Sequence, residues 1–198
     1  MTTNISVVLA VACVCCAGSL CNRGSDEYST VVTYIDSSKA LSSFLKKEAK
    51  EKLGVELPVE SLDVFDTLLP VVGLSGFERE RFRILFGYDM SDQSVPSERR
   101  RADVRQLSRA VSEEEKVPAG AVPIDSSIRR AGPKSKVVLY LSPLKNGIVM
   151  AEVVPMLDYR NFLSYDNASY ANVTLKFLFH FTSDGELLNV YSSVVFNE

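Results

Sequence analysis

The sequence lacks most of the residue types that build catalytic and metal sites. It contains no tryptophan, a single histidine, His180, and four cysteines, all of which precede Asn22. From Asn22 onward the chain therefore offers no disulfide, no thiolate ligand and no cysteine nucleophile. Zinc sites built from several histidines or cysteines are excluded by count, and we expect neither a metal nor a cofactor.

Charged residues are missing from the start of the chain. The first one is Arg23, and residues 5–21 form an uncharged stretch, shorter than the roughly 20 residues needed to span a bilayer. Small residues at Ala17 and Ser19 suit cleavage after Ser19, and those at Ser19 and Cys21 suit cleavage after Cys21. We therefore predict that residues 1–21 are a signal peptide and that the protein is secreted. The first four residues contain no lysine or arginine, which leaves an uncleaved membrane anchor as the alternative.

The remaining residues have the composition of one soluble domain. They carry all the charges of the chain, with a formal net charge of -3. We divide them into a helical part (residues 22–90), a charged connector with proline and glycine (91–135) and an antiparallel β part of the same domain (136–198). The sequence contains no phosphate-binding loop, dinucleotide-binding fingerprint, EF-hand loop or internal repeat.

The helical part begins with a stretch that favours extended structure. Glu27–Ile35 is rich in β-branched and aromatic residues, which predicts a strand or an extended lead-in to the next helix. Apolar residues then recur at helical spacing from Asp36 to Leu53, with Asp36 or Ser37 as the N-cap and Gly54 just past the end.

Three further helices are predicted downstream. A short one covers Leu62, Phe65, Leu68 and Leu69 and ends at Pro70. The next begins with a capping box at Ser75–Glu78 and runs to Phe86, where Gly87 stops it. The centre of the connector, Ser97–Glu114, suits a helix with one apolar stripe. The stripe consists of Val104, Leu107 and Val111.

The β part contains two predicted hairpins. Asp184–Gly185 is a strong turn signal between Val173–Thr182 and Glu186–Phe196. One face of this hairpin is predicted to be apolar, with the pairs Phe181 with Leu188, Phe179 with Val190, Phe177 with Ser192, Leu175 with Val194 and Val173 with Phe196. The other face is predicted to be mixed, with the pairs Thr182 with Leu187, His180 with Asn189, Leu178 with Tyr191 and Lys176 with Ser193.

The other hairpin joins Lys136–Leu141 to Ile148–Met156 through Asn146–Gly147, with Pro143 lengthening the connection. Helices followed by hairpins predict an α+β fold. N-terminal helices then pack on a C-terminal antiparallel sheet of about four to five strands.

Catalysis has few candidate residues. His180 is the only conventional general base, and no Gly-x-Ser-x-Gly motif supplies a serine nucleophile. Asp158, Asp166 and Glu152 are the carboxylates that a glycoside-type mechanism would need to pair. The alternative involves no catalysis: His180 is a strand residue whose hydrogen bonds are made by its neighbours, and the carboxylates are solvated at the surface.

A basic cluster lies in the connector. It consists of Arg99, Arg100, Arg101, Arg105 and Arg109. An anionic partner suits such a cluster, but Glu98, Asp103 and Glu113–Glu115 also favour ion pairs within a solvated helix. We do not expect binding of nucleic acid.

The segment Asp158–Asn172 has the composition of a binding loop. Tyr159, Tyr165 and Tyr170 are the predicted contact residues, since tyrosine provides a large contact area at a small entropy cost. A loop packed back on its own sheet is the alternative. Asn167 and Asn172 begin N-x-[ST] sequons, which predict surface glycosylation in a secreted eukaryotic protein.

These features favour a secreted, non-catalytic binding or interaction protein. Its partner, a macromolecule or a small molecule, is not identified by any motif. The alternative is a small hydrolase that uses His180 or paired carboxylates in a cavity between helices and sheet.

Overall fold

Helices lie mainly in the first part of the chain and a sheet in the last. The computed structural model describes residues 23–57, 62–69, 77–114, 120–123, 128–132, 134–156 and 173–196. In chain order the elements are α1 (Arg23–Ser37), α2 (Lys39–Phe44), a π-helical turn (Leu45–Ala49), α3 (Lys50–Leu53), β1 (Leu62–Val64), β2 (Thr67–Leu68), α4 (Glu78–Phe86), α5 (Ser97–Glu114), β3 (Gly120–Ala121), β4 (Val137–Leu141), β5 (Ile148–Pro155), β6 (Val173–Phe181) and β7 (Leu187–Phe196). No helix in the described ranges is both long enough and apolar enough to cross a membrane.

The main sheet has five strands in the order β1-β4-β5-β6-β7, and β2 and β3 form a separate antiparallel pair. The α+β class and both predicted hairpins, β4–β5 and β6–β7, are confirmed. The sheet is mixed because β1 runs parallel to β4.

The strand predicted at Glu27–Ile35 is wrong, as is the extended lead-in, because these residues belong to helix α1. Tyr28, Val31, Val32 and Ile35 are all buried, at the i, i+3, i+4, i+7 spacing of one helix face. Burial of that face against the sheet outweighs the modest β-propensity of the stretch.

The helix predicted after Asp36 is confirmed, with a different start. Ser38 is the N-cap: its backbone is extended and its hydroxyl oxygen accepts a hydrogen bond from the Leu41 amide at 3.1 Å. The helical path passes through the π-helical turn and ends where Gly54 adopts φ +68°, as predicted from the glycine.

The short helix predicted at residues 62–69 is wrong. Leu62 and Val64 pair with Val137 and Leu139 of β4, and Thr67–Leu68 pairs with Gly120–Ala121. The partners are more than 50 residues away in sequence, so local spacing carries no sign of this pairing. Pro70 lies outside the described residues.

The two later helices are confirmed as α4 and α5. Gly87 ends α4 with φ +77°. Ser75 lies outside the described residues, and the N-cap is Phe77, which makes no side-chain capping bond. On α5, Leu107 is buried as predicted, whereas Val104 is 39% exposed.

The β6–β7 register is confirmed from Val173↔Phe196 to His180↔Asn189. A bulge between His180 and Phe181 then shifts the ladder by one residue, so Phe181 pairs with Leu187 and the predicted Leu188 pairing is wrong. The predicted Thr182–Leu187 pair is wrong too, because the Thr182 amide donates to the Glu186 carbonyl at 2.8 Å.

The β4–β5 connection combines a tight turn with an irregular stretch. Asn146 (φ +54°) and Gly147 (φ +71°) form a two-residue turn between Lys145 and Ile148, whose backbones exchange two hydrogen bonds. The regular ladder resumes only at Leu141↔Ala151. The connection is therefore longer than two residues, as predicted from Pro143.

Both faces of the sheet are covered. The predicted apolar face of β6 packs against α1, α2 and the π-helical turn around Ile35, Phe44 and Leu45. The opposite face, predicted to be mixed, is also largely buried, because Phe77 and Ile84 pack over Tyr140 and Leu178. The α4–α5 region therefore forms a second layer on this face.

Candidate functional site

Helix α5 places the basic cluster on the protein surface. Arg99, Arg101, Arg105 and Arg109 are exposed, and Arg100 is half-buried with its Nε atom shielded from solvent. Leu107 is buried and marks the side of α5 that packs against the rest of the protein. Arg99, Arg101, Arg105 and Arg109 therefore project from exposed faces of α5, whereas Arg100 lies on the same side of the helix as Leu107 and is only partly accessible.

Internal ion pairing accounts for only one of these arginines. Arg99 Nε lies 3.8 Å from Asp103 Oδ2, and its guanidinium lies over the Tyr88 ring at 5.8 Å. Within the described part of the chain, the other four make no salt bridge. Among the described residues, Arg99 is the one cluster arginine with a salt bridge, although the Ser94 hydroxyl and amide, and after them the charge of Arg100, lower the pKa of Asp92.

Acidic residues near the cluster are engaged by their own partners. Tyr88 donates a 2.6 Å hydrogen bond to Asp103, and burial of its hydroxyl, followed by this bond, raises the pKa of Tyr88. The Ser91 hydroxyl and amide, with the Arg79 guanidinium at 2.7 Å, hold the pKa of Asp89 well below its usual range. These contacts fix the loop between α4 and α5 against the start of α5.

A groove of about 480 Å³ runs along the first half of α5. Its walls are formed by Met90, Ser97, Arg100, Arg101, Val104 and Arg105. Guanidinium groups are suited to carboxylate recognition in a two-pronged geometry, and the apolar side chains offer a surface for aliphatic groups. The groove therefore combines charge and apolar contact on one face.

His180 lies half-buried at the other side of α5, in a cavity of about 340 Å³. Gln106, Asn146 and the aliphatic side of Leu107 share the wall. Among the described residues, no carboxylate, hydroxyl or thiol lines this cavity, and the imidazole makes no hydrogen bond there. A serine or carboxylate dyad is not assembled around His180 in this part of the chain.

The carboxylate candidates are similarly dispersed. Glu152 is 1% exposed and lies 3.9 Å from Lys176 Nζ across the β5–β6 pair, which gives it a structural partner. Asp158 and Asp166 lie outside the described residues. The described residues hold no group of three or more histidine, cysteine or acidic side chains arranged to bind a metal ion.

The predicted binding loop also lies outside the described residues. This applies to Tyr159, Tyr165 and Tyr170 and to the sequon residues Asn167 and Asn172.

One candidate was missed at the sequence level. Glu27 is 5% exposed, lies on α1 and faces a cavity at the end of the sheet. Its neighbours Tyr28, Val31 and Ile35 carry a helical period that would have placed it on a helix. The predicted strand hid this signal.

Comparison with known proteins gives no information on function. The chain matches no protein-family model, no curated protein and no solved structure. Function is therefore inferred from the residues and their geometry.

Proposed function

We propose that the protein is a non-catalytic binding protein that recognises an acidic protein segment through the arginine groove of α5. The observation that supports this most is the state of Arg100, Arg101 and Arg105. All three line one groove, and none has a salt bridge within the described residues. Binding a carboxylate would therefore break no salt bridge that these arginines make to other described residues.

The composition of the groove suggests the kind of segment that binds. Met90 and Val104 lie among the arginines, and Val104 remains 39% exposed. A peptide with alternating acidic and aliphatic side chains would pair its carboxylates with guanidinium groups and cover this apolar surface. Its acidic groups would give specificity, and its aliphatic groups would add buried area.

An acidic protein segment is favoured over nucleic acid by the surrounding charge. The chain has a net charge of -3, and Glu98 and Asp103 interrupt the positive surface of α5. A long polyanion would meet repulsion outside the groove, since nucleic-acid binding depends on extended phosphate neutralisation. A short segment with spaced carboxylates avoids this repulsion.

The proposal is tested with a short fluorescein-labelled peptide built of Glu-Glu-Leu repeats. The variant R100Q/R101Q/R105Q should bind it roughly 3- to 150-fold more weakly, because exposed charged pairs contribute roughly 0.2–1 kcal/mol each. The control K39Q/K46Q/K136Q removes the same number of positive charges from exposed positions elsewhere and should bind normally. Fluorescence anisotropy at low and high salt measures both.

Equal weakening by the two triple variants would attribute binding to overall charge and contradict the groove proposal. So would equal binding of a peptide in which lysine replaces glutamate. A single-stranded oligonucleotide that competes as well as the peptide would point to nucleic acid instead.

We also propose export of the protein. Residues 1–21 would be removed, Asn167 and Asn172 would carry glycans, and Tyr159, Tyr165 and Tyr170 would add contacts to the partner. Expression in eukaryotic cells, followed by intact mass analysis of the medium with and without glycosidase, tests export and glycosylation. An unprocessed, cell-retained chain would contradict it.

A further inference from the structure

A second site lies at the end of the sheet, apart from the arginine groove, and it does not depend on the function proposed above. Its central feature is Glu27 of α1. The side chain is 5% exposed, and within the described residues Oε2 has no hydrogen-bond partner. A buried carboxylate without a counter-group is unfavourable, because it loses hydration and gains nothing in return.

Glu27 faces a cavity of about 420 Å³. The wall is completed by Leu144, Asn146 and Gly147 of the β4–β5 connection, by Phe181 at the end of β6, and by Thr182 and Ser183 of the β6–β7 connection. Both hairpin ends therefore meet the beginning of α1 here. The volume is in the range of sites that hold small organic molecules.

The walls are fixed by backbone contacts. The Phe181 amide donates to the Gly147 carbonyl at 2.7 Å, which ties the two hairpins together. The Tyr28 hydroxyl accepts from the Leu144 amide at 2.6 Å and donates to the Ser142 carbonyl at 3.1 Å, which ties α1 to the β4–β5 connection. These contacts fix the wall segments relative to one another.

The backbone approaches the carboxylate closely at Gly185. A Cβ atom there would lie 2.9 Å from Glu27 Oε1, and the residue adopts φ +86°. Only glycine meets both conditions without a shift, so glycine lets the backbone pack closely against the carboxylate on this side.

The wall chemistry indicates the ligand class. Glu27 is the only ionisable side chain among the described lining residues, which argues against a divalent cation that needs several oxygen ligands. Phe181 and Leu144 offer apolar surface next to the carboxylate. We propose that this cavity binds a small organic cation, a primary amine with an apolar body, whose ammonium group pairs with Glu27.

Phenethylamine is a suitable probe, and 2-phenylethanol is its uncharged counterpart. Isothermal titration calorimetry of the purified protein should show saturable binding of the amine and no comparable binding of the alcohol. Glu27→Gln keeps the side-chain shape and should weaken amine binding by about tenfold or more, as expected for loss of a charge-assisted hydrogen bond. Glu51→Gln changes an exposed carboxylate on α3 in the same way and should leave binding unchanged.

Thermal unfolding gives a second readout. Without ligand, Glu27→Gln should raise the unfolding midpoint, because it replaces a buried carboxylate whose Oε2 has no hydrogen-bond partner within the described residues. Phenethylamine should raise the midpoint of the natural protein and not that of Glu27→Gln. Equal binding of amine and alcohol, unchanged amine binding in Glu27→Gln, or a lower midpoint of the unliganded variant would each overturn the proposal.

Discussion

At the scale of single residues, the turn between β4 and β5 requires glycine at position 147. Gly147 has φ +71°, and a Cβ atom there would lie 2.6 Å from the Phe181 carbonyl oxygen. That oxygen belongs to backbone that is already tied to Gly147 by the Phe181 amide, so it cannot move aside without breaking the contact between hairpins.

Gly147→Ala should therefore destabilise the protein by about 1–3 kcal/mol through strain and steric overlap. Gly132→Ala is the matched control, because a Cβ atom there meets nothing within 4 Å. Urea unfolding of both variants measures the difference. Equal stabilities would mean that the turn has room for a side chain.

Glu27 shows the limit of sequence reading at this scale. Its type and position were visible, but it is brought next to Gly147, Phe181 and Gly185, which come from distant parts of the chain. The basic cluster could be predicted from the sequence because its arginines are neighbours on one helix. Their ion pairing could not be predicted, since it depends on the side-chain geometry of Asp103 and Tyr88.

At the scale of elements, local signals identified most of the secondary structure. The hairpin turns and the helix ends at Gly54 and Gly87 follow from residue types that favour a particular backbone conformation. The failures at α1, β1 and β2 have a common cause. Local propensity does not decide them: α1 is fixed by packing on the sheet, β1 by pairing with β4, and β2 by pairing with β3.

The helix after Ser38 provides an element-scale prediction. Ser38→Ala should lower the free energy of unfolding by about 1 kcal/mol, because the Leu41 amide loses the oxygen that caps it. Ser43→Ala lies within the same helix at an exposed position and should be neutral or slightly stabilising, since alanine favours helix. Denaturant unfolding compares the two. A larger loss at Ser43 would contradict the assigned N-cap.

At the scale of the whole molecule, two helical layers cover opposite faces of one sheet. The covered second face was not predicted, because the sequence of β6 shows only that its side chains alternate. Phe77 and Ile84 supply the cover from a separate part of the chain. Tyr28 and Tyr140 contribute to the cohesion of the two faces, one tyrosine on each.

Because these two tyrosines are buried, the free energy of unfolding should fall in alkaline solution. Burial raises the pKa of Tyr28 from 10.0 to about 12, and burial also raises that of Tyr140. Tyr28 therefore stays protonated in the folded protein while the unfolded chain ionises. Its contribution is complete below pH 10 and is lost as the pH rises to about 12, a loss of about 2–3 kcal/mol.

Urea unfolding across this pH range measures the effect. Tyr28→Phe should show a smaller decline than the natural protein, whereas Tyr34→Phe, at an exposed position, should keep the full decline. A decline that is identical in all three proteins would show that Tyr28 is not its source.

The central claim is that α5 is the recognition surface for an acidic segment. It is tested most directly by ¹H–¹⁵N correlation spectra of the labelled protein during titration with the Glu-Glu-Leu peptide. The predicted result is a saturable shift of the amide signals between Ser97 and Gln106, absent in R100Q/R101Q/R105Q. Shifts confined to other elements, with the α5 signals unchanged at saturation, would contradict the claim.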